Sequence, residues 1–152
     1  MIVCIVDSSV LCELLSVQDK SSKEAHERAL SDFEVKRSGG HTFLLPIAAI
    51  LETGNHIAHG KDGGRRRKEA EKFAALVRDA IDGNSPFTPS PAPQVGDIGR
   101  WLDEIVNDAS RGLGIGDRSL IDTWAQQKAI HPHGRVYVWS SDDHLRAYDT
   151  DP

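Results

Sequence analysis

The apolar run Ile2-Val3-Cys4-Ile5-Val6 narrows the folds open to this chain more than any other feature. Every residue in it except Cys4 is β-branched. It is too short for an ordinary helix and shows no polar alternation. Such a run reads as a strand buried on both faces, the pattern of a central strand in a parallel sheet. Val136-Tyr137-Val138-Trp139 repeats the pattern far along the chain, and His41 to Leu45 reads as a further strand stopped by Pro46. Only helical periodicities separate these runs. The expected class is therefore α/β with a mainly parallel sheet.

The expected helices follow from caps and apolar spacing. Ser8-Ser9 offer capping hydroxyls to a helix reaching about Leu15. Ser21 and Glu24 stand in capping-box spacing before a helix whose inner positions are Ala25, Ala29, Leu30 and Phe33, ended by Gly39-Gly40. Pro46 starts a helix running from Ile47 to about His59. After the loop Lys61-Asp62-Gly63-Gly64, a helix covers Arg65 to about Ile81, with Ala70, Phe73, Ala74 and Val77 inward. Another covers about Asp97 to Ser110, with Ile98, Trp101, Leu102, Ile105 and Val106 inward. A Gly-rich break at Gly112 to Gly116 precedes a helix from Asp117 to about Ile130, and a short helix follows Ser140. Residues 82–93 hold four of the seven prolines and read as a long surface connection.

At 152 residues the chain is sized for one domain, residues 1–152. No apolar stretch nears the roughly 20 residues that span a bilayer. A strand at the very start leaves no room for a signal peptide, so the expectation is a cytoplasmic protein. The net charge of −5 argues against a protein that coats itself in basic charge to hold duplex DNA. Cys4 and Cys12 lack any CxxC spacing and read as buried structural thiols.

Four acids stand out by setting. Asp7 follows the first strand at once, at the sheet edge where open α/β folds bind ligands. Asp142 follows the last strand by two serines. Glu52 lies in a helix just after an apolar stretch, and Asp117 opens a helix after the Gly-rich break. Each has an ordinary reading: Asp7 and Asp117 as helix caps, Glu52 as a solvated helix residue, Asp142 as a turn residue. Together they would suit a hard divalent cation, which takes carboxylate oxygens and can activate water against a phosphodiester.

In order and context these segments resemble the PIN domain family, in particular VapC-like toxins. The matching residues are Val6-Asp7-Ser8-Ser9-Val10-Leu11, Pro46 through Glu52, Gly114-Ile115-Gly116-Asp117-Arg118-Ser119-Leu120 and Ser140-Ser141-Asp142-Asp143-His144-Leu145. The resemblance implies a PIN-like three-layer α/β/α sandwich and an endoribonuclease dependent on Mg²⁺ or Mn²⁺. It places the metal and catalytic role on Asp7, Glu52, Asp117 and Asp142, with Ser140 supporting the site by hydrogen bonding and Ser8 and Ser9 filling the small polar positions after the first acid. It also implies an RNA substrate, a cognate antitoxin and a homodimer. The interval from Asp117 to Asp142 is longer than the family's usual one, which leaves Asp143 as an alternative fourth acid.

Among cationic residues, Arg65, Arg66, Arg67 and Arg118 are candidates for RNA phosphates. The arginine run could equally be a solvated helix start, and Arg118 could pair with a neighbouring carboxylate. His56, one turn after Glu52, could approach the metals or be a partly buried histidine. Two other functions stay open. One is a PIN-like RNA- or protein-binding module without activity. The other is a haloacid-dehalogenase-type phosphatase, which would want an Asp where Ser9 stands.

Overall fold

The computed structural model describes residues 1–149; the last three residues of the expected domain lie outside the described residues. Four parallel strands form one sheet: β1 (Ile2–Val6), β2 (Thr42–Leu45), β3 (Phe87–Pro89) and β4 (Arg135–Trp139), in the order β3-β2-β1-β4. The helices are α1 (Ser8–Leu15), α2 (Lys23–Ser38), α3 (Ile47–Ala58), α4 (Gly63–Ile81), α5 (Val95–Ser110) and α6 (Ile115–Ile130), followed by a 3₁₀ helix over Asp143–Tyr148.

Alternation along the strands feeds two cores. Cys4, Val6, Phe43, Leu45, Tyr137 and Trp139 pack on one face with residues of α1, α3 and α4 and with Phe33 of α2. Val3, Ile5, Leu44, Val136 and Val138 pack on the other with Leu120 and Ile121 of α6 and with Leu145. The result is the expected three-layer α/β/α sandwich, with an all-parallel sheet. Among the described residues no helix is long and apolar enough to cross a membrane.

The strand order fixes where a ligand can sit. The chain leaves β1 toward α1 on one face and β4 toward the 3₁₀ helix on the other. The crevice at the carboxyl ends of these two neighbours is a topological switch point, the usual ligand position in such sheets. Asp7 N–H bonds Trp139 O at 3.1 Å, carrying the pairing one residue past β1 to the lip of that crevice.

Several expectations change. Residues 82–93 are not wholly irregular: Phe87–Pro89 forms an edge strand beside β2. Phe87 is buried and stacks on Phe33, with ring centroids 5.4 Å apart. Pro89 is tolerated there because an edge strand can do without its N–H. Ser22 rather than Ser21 caps α2, its hydroxyl accepting from Ala25 N at 3.1 Å, and Leu30 is exposed. Gly63 and Gly64 belong to α4, capped by Asp62 Oδ1. Ala70 and Ala74 are exposed; Glu69 and Ala80 are the residues α4 buries.

The largest difference lies on α5. Of its expected inner stripe only Trp101 and Ile105 are half-buried, while Ile98, Leu102 and Val106 are exposed, the last at 78%. The helix packs on α6 through polar contacts instead. Arg118 forks onto Asp108 with two bonds of 2.6 Å, and Arg111 adds a third at 2.9 Å. Arg100 and the Trp101 indole N–H both reach Asp122 Oδ2, at 2.9 and 3.0 Å. Amphipathic spacing marks a face that wants cover; it does not say that this chain supplies it.

Candidate functional site

Asp7, Glu52, Asp117 and Asp142 line one polar pocket of about 320 Å³ at the switch point. They arrive from the end of β1, the middle of α3, the first turn of α6 and the turn after β4. Asp143 does not line it. Its carboxylate is exposed and pairs with Arg146, so Asp142 is the acid that faces this pocket.

The serines hold the acids in place. Asp7 is only 3% exposed and occupies the N-cap position of α1, yet its side chain makes no capping bond. Its Oδ2 instead accepts from Ser9 Oγ and Ser140 Oγ, both at 2.7 Å. Both hydroxyls point their protons at that oxygen and themselves accept from backbone: Ser141 N donates to Ser9 Oγ at 3.0 Å, and Asp142 N to Ser140 Oγ at 2.9 Å. Asp7 Oδ1 accepts no hydrogen bond among the described residues. A carboxylate gripped by one oxygen and open at the other is oriented as a ligand is oriented by its neighbours. The same contacts tie β1 to the turn that carries Asp142.

Ser8 Oγ donates to Glu52 Oε2 at 2.8 Å, bringing α3 to the start of α1. Glu52 Oε1 lies against Gly116. A Cβ at that position would come within 2.1 Å of it, so the glycine before Asp117 leaves the space that the α3 carboxylate occupies. Gly116→Ala is expected to fold normally, because the tip of Glu52 can swing aside. It is expected to weaken Mn²⁺ binding about tenfold, read by titration calorimetry, since it displaces a candidate ligand.

Asp117 is not a cap either: Gly114 holds that position in α6. Burial, and then the charges of Asp142, Asp7 and Glu52, push its carboxyl up to about 6. This is the behaviour of acids crowded without a counter-charge. Asp142 Oδ1 accepts from His144 N at 2.9 Å, so here the turn reading holds alongside the pocket position.

The donor set suits a hard cation: carboxylates, and hydroxyls that steady them. The spacing is looser than a closed site. Among the described residues, no three His, Cys, Asp or Glu side chains stand close enough together to hold an ion. Binding would have to draw the carboxylates inward, the ion's charge offsetting the burial and the like charges that raise the Asp117 carboxyl.

The expected RNA contacts fall elsewhere. None of Arg65, Arg66, Arg67 or Arg118 lines the pocket. Arg66 donates to Gly60 O at 2.7 Å and Arg65 to Ser16 O at 3.2 Å, while Arg67 pairs with Glu71 on the surface. Arg118, 19% exposed, takes the alternative role of pairing with a neighbouring acid. Glu13 and Lys20, not singled out from sequence, line the pocket, and so does Cys12, which the sequence marks only as a buried structural thiol. Glu13 Oε1 accepts from Ser141 Oγ at 2.8 Å. Its signal was the four-residue step from Ser9, which puts both on one helix face. Lys20 sits in an irregular turn, where no periodicity points anywhere. His56 also lines the pocket, its pKa lowered by burial first and then by Lys20.

An apolar hollow of about 340 Å³ adjoins the acidic pocket, sharing Glu52 with it and lined by Ile47, Leu51, Ile98, Trp101, Ile115 and Gly116. Compared with known proteins, the chain matches no family model, no curated protein and no solved structure.

Proposed function

We propose that this protein is a metal-dependent endoribonuclease of the PIN-like, VapC-like kind, the toxin of a toxin–antitoxin pair acting in the cytoplasm. The observation that carries this reading is the convergence of Asp7, Glu52, Asp117 and Asp142, from four separate elements, on one polar pocket at the switch point. Mg²⁺ or Mn²⁺ held by these four acids would supply positive charge and an activated water for hydrolysis of an RNA phosphodiester.

The chain's own groups set the geometry. Ser9 and Ser140 fix the Asp7 carboxylate, and Ser8 fixes that of Glu52. None of these hydroxyls is paired with a histidine base, and burial pushes the Cys12 thiol up to about 11. Among the described residues the pocket therefore offers no activated hydroxyl or thiol, which fits attack by water. The phosphatase reading loses support for a related reason: where it wants a second Asp, Ser9 is the residue that grips Asp7.

The apolar hollow beside Glu52 supports the antitoxin partner. A helix or extended segment laid over Ile47, Leu51, Ile98 and Ile115 would close the acidic pocket from one side. The uncovered stripe Val95, Leu102 and Val106 on α5 supports a homodimer.

The test is cleavage of RNA with Mn²⁺ by the wild type and by Asp7→Ala. Equal cleavage by the two would sink the site assignment. In parallel, Mn²⁺ is expected to raise the wild-type Tm in a concentration-dependent way, by about 2.7 kcal/mol of added stability at one hundred times Kd. Asp7→Ala is expected to lose that shift in differential scanning fluorimetry. A wild type that neither binds Mn²⁺ nor cuts RNA would favour the inactive binding module.

A further inference from the structure

We propose that Lys20 takes a phosphate of the substrate at the mouth of the acidic pocket, and that a buried polar staple holds its backbone there. The proposal rests on the ribonuclease reading above. The lining of this pocket contains five carboxylates, those of Asp7, Glu13, Glu52, Asp117 and Asp142, and a single Lys or Arg, which is Lys20. A polyanion approaching five acids is repelled unless positive charge is already at the rim. Lys20 is exposed, and among the described residues no acid lies within 4.0 Å of its ammonium. Its charge nevertheless reaches into the pocket, where it acts on both Cys12 and His56. A lysine of this kind is a mobile point charge, suited to meet a phosphate oxygen.

The turn that carries it is built with unusual care for a surface connection. Ser16 and Asp19 both adopt positive φ, 55° and 62°, which non-glycine residues seldom do. Val17 between them is fully buried, and Lys20 N closes back onto Val17 O at 3.2 Å. Gln18 is 6% exposed, and its amide pairs with both backbone groups of Asp62: Nε2 donates to the carbonyl and Oε1 accepts from the N–H, each at 3.0 Å. Its own N–H donates to Glu69 Oε1 at 2.7 Å, deep under α4. Gly60 completes the staple, since a Cβ there would fall within 2.2 Å of the Gln18 amide. Arg65 braces the same turn through Ser16 O. The basic run at the start of α4 thus serves the site indirectly, by fixing the turn that presents Lys20.

The experiment measures binding of a labelled single-stranded RNA oligonucleotide, with Ca²⁺ in place of Mn²⁺ to prevent cutting, across a range of salt. Mn²⁺ binding is measured separately by calorimetry. Lys20→Ala is expected to weaken RNA binding about tenfold at low salt and to lower the slope of log K against log salt by about 0.7, the loss of one phosphate contact. Lys20→Arg is expected to keep both. Mn²⁺ binding by Lys20→Ala is expected to be unchanged or tighter, because a like charge has been removed. Gly60→Ala, which pushes Gln18 aside, is expected to share part of the RNA loss with Mn²⁺ binding intact. Unchanged RNA affinity and slope in Lys20→Ala overturn the proposal, as does a loss of RNA binding matched by a loss of Mn²⁺ binding. Full RNA affinity in Gly60→Ala overturns the part assigned to the staple. A wild type that binds RNA through Lys20 without cutting it sinks the ribonuclease reading alone; one that binds no RNA sinks both.

Discussion

Asp117→Asn is expected to abolish Mn²⁺-dependent RNA cleavage, by about 100- to 1,000-fold or more, while making the metal-free protein more stable at pH 7.5. Loss of activity follows from removing a charged ligand where positive charge has to be held against a phosphodiester. The gain in stability follows from the repulsion already present. The Asp117 carboxyl is raised to about 6, by burial first and then by Asp142, Asp7 and Glu52. A raised acid favours the folded state when protonated. Its contribution is fully present below the unfolded value near 3.9 and is lost as pH rises through about 6. At pH 7.5 the metal-free wild type therefore carries an unfavourable charge that Asn lacks. For a half-buried group, solvent screening holds the gain to about 1 kcal/mol. The gain should shrink as pH falls below 6, and metal should reverse it, since only the wild type can use the ion. Denaturant melts at pH 5 and 7.5, with and without Mn²⁺, check all three signs. A variant less stable than wild type at pH 7.5 without metal would contradict the crowding of these acids. By the same linkage, wild-type Mn²⁺ affinity is expected to fall about tenfold per pH unit below 6, because ions compete with protons for this carboxylate.

Asp108→Ala is expected to cost about 2 kcal/mol and to lower Tm by roughly 4–8 °C in a chain of this length. Asp108 joins Arg118 of α6 to Arg111 at the end of α5, as Asp122 joins Arg100 and Trp101 of α5 to α6. Its carboxylate is shielded by the two guanidinium groups in the outer layer rather than set deep in a core. The cost therefore falls below that of breaking a fully buried pair. Hydrogen bonding from Arg118, the largest influence, holds the Asp108 carboxyl below its usual range. A depressed acid stabilises the fold above its unfolded pKa and loses that contribution as pH falls through the folded one. The difference between wild type and Asp108→Ala should accordingly be constant near neutrality and close only in acid. Because Arg118 follows Asp117 directly, the variant should also loosen the first turn of α6 and reduce cleavage, which a Tm measurement alone would miss.

Much of the fold was legible because it rests on local rules. The strands Ile2–Val6, Thr42–Leu45 and Arg135–Trp139 stand close to where unbroken apolar runs put them. The helix start at Pro46 was marked by a residue whose fixed φ suits a first turn, whereas α6 begins at Ile115, inside the Gly-rich break and two residues before the expected Asp117. Phe87–Pro89 was not legible, since three residues carry no period and two flanking prolines argue for a loop; ring packing against Phe33 and Phe43 makes it a strand. The stripe on α5 was legible as an apolar face but not as an uncovered one. The serines at 8, 9 and 140 were legible as small polar neighbours of acids, but which acid each one holds was not.

The sequence by itself determined that a buried parallel sheet must form, and that Asp7 and the acid after β4 must end at its carboxyl edge. Hydrophobic runs and strand polarity settle those points residue by residue. Only the tertiary structure decided which acids share a pocket, that Asp142 rather than Asp143 faces it, and that Lys20 stands there while the arginines do not. Strand order, helix packing and the reach of each side chain bring together residues more than a hundred positions apart. No local pattern encodes that meeting, because it depends on the order in which β1 and β4 lie side by side.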